Sequence, residues 1–187
     1  MSKGKLFIIS GASGVGKGTV LKAIMEQRKD LMFSVSATTR EPRDGEVDGV
    51  HYYFVTKEAF EDMIRKGEFL EYDAHAANYY GTPRAQMEEK LSRGLVLLDI
   101  EPNGAKAVRD KRDDATLIFI MPPSMEELER RLRGRGDTCE EQIKMRMERA
   151  VWEMEQQSWY DHVVVNDQVD ACAAEILNII SAVADTN

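Results

Sequence analysis

The residues best suited to chemistry stand near the start of the chain, in Gly11-Ala12-Ser13-Gly14-Val15-Gly16-Lys17-Gly18-Thr19. Four glycines and a lysine fall within eight residues there, directly after the apolar run Leu6-Phe7-Ile8-Ile9. With no Cβ at Gly11, Gly14 and Gly16, the backbone can approach a phosphate chain and turn its N–H groups inward. Lys17 supplies a mobile positive charge for the outer phosphates, and the helix that follows aims its N-terminus at the same anion. A nucleoside triphosphate is the ligand this arrangement implies. Gly18 stands where the phosphate-loop pattern has a serine or threonine whose hydroxyl reaches magnesium, and Thr19 offers a hydroxyl one place later.

A second set of candidates is cationic. Arg130, Arg131, Arg133 and Arg135 crowd one segment, Lys144, Arg146 and Arg149 follow shortly after, and Arg40 and Arg43 form a pair far upstream. The chain as a whole is acidic, with a net charge of −8, which argues against general binding to nucleic acid. Arginine concentrated in two places on an acidic protein points to local anion sites. His51, His75 and His162 have no metal-ligand spacing, and Cys139 and Cys172 form no CxxC pair. Reduced, unpaired thiols are expected.

Positioning these groups requires a folded core, and 187 residues suffice for one domain with a small inserted region. The apolar runs are too short to span a bilayer, and residues 1–10 lack the long apolar stretch of a secretory signal. A cytoplasmic protein with no membrane partner is expected. Apolar runs alternate with helical patterns, the mark of a parallel sheet with crossover helices. Strands are predicted over 6–10, 33–36, 95–100, 116–120 and 162–165, buried on both faces. Helices are predicted over 19–29, from Thr82-Pro83 to about 92, from Ser124, over 140–157 and over 169–184. Thr82, Ser124 and Thr138 are read as helix caps. On the 140–157 helix, Met145, Met147 and Met154 read as packing residues. Between Ala37 and Gly81 the alternation fails, and Glu41-Pro42-Arg43-Asp44-Gly45 marks a turn. This segment reads as short antiparallel strands around one helix over 57–66. Gly134-Arg135-Gly136-Asp137 reads as a second, glycine-hinged appendage.

The inserted segment carries the specific signal. The run from Thr38-Thr39-Arg40-Glu41-Pro42-Arg43-Asp44-Gly45-Glu46 to Tyr52-Tyr53-Phe54-Val55 resembles the signature of guanylate kinases. Further matches follow in order: Glu68-Phe69-Leu70-Glu71, Asn78-Tyr79-Tyr80-Gly81-Thr82, Pro122-Pro123-Ser124, Arg131-Leu132-Arg133-Gly134-Arg135-Gly136 and Val165-Asn166-Asp167. The resemblance runs from about residue 5 to 184. It implies an α/β fold of the P-loop NTPase type: a five-stranded parallel sheet flanked by helices, with a mixed α/β GMP-binding insertion over about 37–81 and a helical lid over about 134–149. It implies transfer of the γ-phosphoryl group from ATP to GMP, with Mg2+ as cofactor, in purine nucleotide metabolism. ATP would lie on residues 11–19 and Asn166. GMP would be gripped through its phosphate by Arg40, Arg43, Tyr52 and Tyr80, and through guanine by Glu71, Ser36 and Thr82. Lys17, Arg40, Arg131, Arg135 and Arg146 would serve the transferring phosphoryl group, and Asp99 would stand near the metal.

Each residue alone has a plainer reading. Arg131 and Arg135, four apart near a helix end, could simply offset the macrodipole. Glu71 could be a solvated acid, and Tyr52 and Tyr80 strand packers. The functional reading rests on them jointly. Three departures from the family pattern stand out: Ala12 for a frequent proline, Gly18 for the usual serine, and the block Asp99-Ile100-Glu101-Pro102-Asn103-Gly104. Two other readings stay open on sequence alone, a non-catalytic protein-binding domain of the same fold and a kinase with a different base preference. Retention of Lys17 and the arginines disfavours the first; Glu71 with Ser36 and Thr82 disfavours the second. The oligomeric state is not legible in the chain.

Overall fold

The computed structural model describes residues 4–75, 77–134 and 139–186. A five-stranded parallel sheet runs in the order β2-β7-β1-β8-β9, from β1 (Leu6–Gly11), β2 (Leu31–Phe33), β7 (Leu95–Asp99), β8 (Ala115–Met121) and β9 (His162–Val165). The expected P-loop-type α/β class is therefore present. Packing divides the chain into two compact units. One holds the residues up to Leu6 together with Leu31–Ala115; the other holds Phe7–Asp30 and the residues from Thr116 onward.

The first unit contains β2 and β7, paired with Leu31 opposite Leu95, and helix α3 (Arg84–Arg93). It also contains a second sheet of order β4-β3-β6-β5, built from β3 (Ala37–Thr38), β4 (Tyr53–Phe54), β5 (Phe69–His75) and β6 (Asn78–Pro83). Helix α2 (Lys57–Arg65) lies between β4 and β5 in sequence, capped by the Thr56 hydroxyl, which accepts from the Ala59 N–H. The rings of Phe60 and Phe69 stack at 4.3 Å, and both are buried with Ala37 in a small core of their own. Not all of these strands are antiparallel as expected. β3 and β4 are parallel, because the long connection over 39–52 returns the chain in the same direction, the crossover a parallel pair demands.

The second unit contains the loop after β1, then helix α1 (Lys17–Gln27), β8, α5 (Met125–Arg133), α6 (Glu140–Glu155), β9 and α7 (Val169–Ala184). Ser124 caps α5 as expected, accepting from the Glu127 N–H, and Leu128 and Leu132 face the core. α7 buries Cys172, Ala173, Ile176 and Ile180 on one side, and Arg28 at the end of α1 donates to the Ser181 hydroxyl. Burial pushes the Cys172 thiol up to about 11, so it packs as an inert apolar group.

Several local expectations need correction. Thr82 does not cap α3: it belongs to β6, Pro83 is the capping residue, and the Thr82 hydroxyl is directed elsewhere. β2 ends at Phe33, and the chain then leaves the sheet towards β3. Val163 and Val165 of β9 are half exposed, since an edge strand is not covered on both faces. Met145 is exposed because α6 buries the face of Ile143, Ala150 and Glu153 instead. Helix α4 (Pro102–Arg109) was not legible: its capping position, Glu101, makes no side-chain cap bond. Helix α6 starts with Cys139 at its cap; the expected cap Thr138 lies outside the described residues.

Candidate active site

In the first unit, Glu71 is 4% exposed and lies opposite Thr82 in the β5–β6 pair, just after a bulge between Phe69 and Glu71. The Thr82 hydroxyl donates to Glu71 Oε1 at 2.6 Å. Against Oε2 stands Gly104 of α4, where any Cβ would lie only 2.5 Å from that oxygen. Glycine is therefore what admits the carboxylate so close to the helix. Burial raises the Glu71 carboxyl to about 7, offset in part by the Thr82 hydrogen bonds, while nearby Asp73 pushes the same way as burial. Asp73 is itself held by Asn103 of α4, whose Nδ2 donates to Oδ2 at 3.0 Å. A buried carboxylate of this kind is suited to accept two N–H donors from a ligand that enters its pocket.

Arg40 lies beside the aromatic rings of the same unit. Its guanidinium carbon is 5.5 Å from the centre of Tyr52 and 5.8 Å from that of Phe54, and the Tyr52 and Tyr80 rings meet edge to face at 6.0 Å. Glu46 grips Arg40 with both oxygens, each at 2.9 Å, and also accepts the Arg43 N–H at 2.7 Å. The Arg40 guanidinium holds the Glu46 carboxyl down at about 2. Arg40, Tyr52 and Tyr80 thus cluster, and Arg43 is brought beside them through its backbone bond to Glu46. Ser36 precedes β3, its carbonyl accepting the Tyr53 N–H, and Asp99 ends β7, partly buried.

In the second unit, the glycine-rich loop follows the C-terminal end of β1. Gly16 caps α1 with φ 91°, a left-handed conformation that favours glycine, and a Cβ there would meet Asn166 Nδ2 at 2.9 Å. No side chain caps α1; the Thr19 and Val20 N–H groups both donate to the Gly16 carbonyl, at 3.1 and 3.2 Å. Lys17 is the first helical residue, Thr19 is exposed within the first turn, and the space around Gly18 is open. Ala12 and Val15 are buried under the loop, where the Val15 N–H donates to the Ala12 carbonyl.

Three predicted residues converge on that loop. Arg131 donates from Nη1 to the carbonyls of Val15, at 3.2 Å, and Asn166, at 2.9 Å. Glu127 aligns it through Nε at 2.7 Å. Asn166 is 2% exposed and donates from Nδ2 to the Val15 carbonyl at 2.8 Å, while its Oδ1 has no hydrogen-bond partner among the described residues. Arg146 of α6 donates to the Ser13 hydroxyl at 3.3 Å. Arg135 lies outside the described residues. Sequence reasoning missed Gly104, Asn103 as the partner of Asp73, the clamp of Glu46 on Arg40, and the buried Glu153. Glu46, inside the signature, and Asn103 and Gly104, inside the block that departs from the family pattern, left a signal in the sequence; Glu153 left none.

Comparison with known proteins places this geometry among relatives. A family model described as guanylate kinase matches residues 3–183. A guanylate kinase of Prochlorococcus marinus is 49% identical over 179 residues, 95% of this chain and 97% of its own. One from Thermus thermophilus is 49% identical over 181 residues, covering 96% of this chain and 82% of the relative. The crystal structure of guanylate kinase from Anaplasma phagocytophilum is similar with a TM-score of 0.82 at 33% identity, covering 100% of this chain and 89% of that one.

Proposed function

The chain belongs to the guanylate kinase family, and from that premise we propose that it transfers the γ-phosphoryl group of ATP to GMP, releasing ADP and GDP. The observation that carries the reading is Glu71, a buried carboxylate beside a hydroxyl, with helix α4 cleared to glycine in front of it. Guanine offers N1–H and an exocyclic amine as adjacent donors to one carboxylate; adenine presents an acceptor at that ring position and would leave Glu71 mismatched. Ser36 would donate to the guanine oxygen edge; Thr82, whose one hydroxyl proton goes to Glu71 Oε1, would instead hold that carboxylate in place. Arg40, Arg43, Tyr52 and Tyr80 would hold the GMP phosphate, a task suited to the planar guanidinium fork.

GMP brings its own nucleophile, an anionic phosphate oxygen, so the chain needs no general base. Catalysis is positioning and charge stabilisation. Lys17 and the N–H groups at the start of α1 would bind the β- and γ-phosphates. Arg131, Arg135 and Arg146 would neutralise charge on the transferring group, and Asn166 Oδ1 would accept from the adenine amine. Among the described residues no group of three or more His, Cys, Asp or Glu could hold a metal by itself. That fits Mg2+, which is usually held by one or two protein oxygens together with substrate phosphates. Asp99 or Thr19 would supply such an oxygen. When bound, the ion would supply charge neutralisation for the nucleotide phosphates. Residues 37–81 would act as the GMP-binding region and 134–149 as a lid, in the cytoplasm.

The test is Glu71→Gln, which keeps the shape and one acceptor but places an amide N–H where the carboxylate received a donor. We expect KM for GMP to rise by about ten- to a hundredfold, the worth of one charged hydrogen bond, with KM for ATP within twofold. Equal loss for both substrates, or no loss, would sink the assignment of Glu71 to guanine.

A further inference from the structure

Glu153 of α6 is fully buried, and the reaction outlined above gives it no task. Its two oxygens face different partners. Oε2 accepts the Ser13 N–H of the phosphate loop at 2.7 Å, and Oε1 accepts from Arg149 Nε at 2.6 Å. Arg146 donates to the hydroxyl of the same Ser13. Arg146, Arg149 and Glu153 stand at i, i+3 and i+7 of one helix and so share a face. Two of the three, Arg146 and Glu153, bond Ser13 of the loop.

A buried carboxylate beside a loop built for phosphates is costly: it pays desolvation and repels the ligand unless a cation offsets it. Arg149 is that cation. What the carboxylate contributes is geometry, because an ionised acceptor makes a shorter and stronger bond to a backbone N–H than a neutral one. We propose that Glu153 is a positioning residue for the triphosphate: it pins the loop at Ser13 and ties Arg149 of α6 to it. The proposal rests on the reading of this loop as the ATP site.

Three variants separate the contributions. Glu153→Gln keeps an acceptor for Ser13 and loses the charge. Arg149→Met leaves the buried charge without its cation. The double variant removes both. ATP with magnesium is titrated into each by calorimetry, KM is measured for ATP and for GMP, and thermal unfolding is followed in parallel. Arg149→Met should weaken ATP binding by about tenfold or more, since an unpaired buried anion then faces the phosphates. Glu153→Gln should weaken it by about three- to tenfold. The double variant should bind ATP at least about threefold more tightly than Arg149→Met alone. KM for GMP should stay within twofold throughout. Simple addition of the two losses, or KM values for ATP and GMP that move together, or lowered unfolding temperatures with unchanged KM values, would overturn the proposal. Should Arg149→Met not fold, the KM split of Glu153→Gln decides. Failure of the wild-type protein itself to bind ATP would overturn the phosphate-loop reading and this proposal with it, an outcome visible before any variant is made.

Discussion

Glu71 and Glu46 show how one residue type is turned to two tasks by its surroundings. Burial lifts Glu71 to about 7, whereas paired hydrogen bonds from Arg40 hold Glu46 at about 2. In the proposed reaction guanine donates to the ionised form of Glu71. KM for GMP should therefore fall as pH rises towards about 7 and level off above it, by up to about tenfold per pH unit on the acid limb. The GMP phosphate has its own ionisation near about 6, and Glu71→Gln separates the two: it should keep the phosphate limb and lose the other. A variant profile identical to wild type contradicts this. For stability without ligand the sign is reversed. The folded carboxyl is raised above its ordinary 4.5, so its stabilising contribution is present below 4.5 and is lost as pH climbs through about 7. Glu46 behaves in the opposite sense, contributing above 4.5 and losing its contribution only as pH falls towards about 2. The grip on Arg40 thus persists across the physiological range. Glu46→Ala should raise KM for GMP by about five- to tenfold, from the loss of about 1–1.5 kcal/mol of orientation; steady-state kinetics with GMP varied would check it.

The secondary elements were legible where local chemistry and tertiary role agree. Ser124 caps α5, residues 162–165 form β9 and α7 spans Val169–Ala184 as the pattern predicts. They were misread where a side chain answers to a distant partner. Thr82 before Pro83 has every local mark of a cap, yet its hydroxyl is taken by Glu71 across the sheet. Helix α4 lacks a cap bond and carries Gly104, which lowers its helix propensity for a reason visible only in three dimensions. Gly104→Ala would drive a Cβ against Glu71 Oε2. We expect a loss of about 1–3 kcal/mol in stability and a larger rise in KM for GMP than for ATP. Equal KM values with unaltered stability would contradict the close approach. Phe60→Ala, in the small core with Phe69 and Ala37, should cost about 3–5 kcal/mol by thermal or denaturant unfolding.

For the molecule as a whole, the fold class and the family follow from ordered motifs spread along almost the entire chain, from the glycine loop after β1 to Asn166 after β9. The division into two units did not. It depends on which strands and helices pack together, and Leu6, within β1, gives no local sign of a boundary. The candidate site was legible as a set of residues but not as a set of bonds: neither the clamp on Arg40 nor the contact of Glu153 with Ser13 follows from spacing alone. No helix among the described residues is long and apolar enough to cross a membrane. If the proposed substrates bind the folded state alone, each should stabilise it independently, by about 2.7 kcal/mol at a hundredfold excess over its Kd, read as a rise in unfolding temperature. The decisive measurement is nucleotide product formation from ATP and magnesium with GMP, AMP, UMP or CMP as acceptor, resolved by chromatography. The proposed chemistry predicts ADP and GDP in equal amounts with GMP and little turnover with the other three. ADP formed at comparable rates with AMP or a pyrimidine nucleotide, or no transfer to GMP at all, would contradict it.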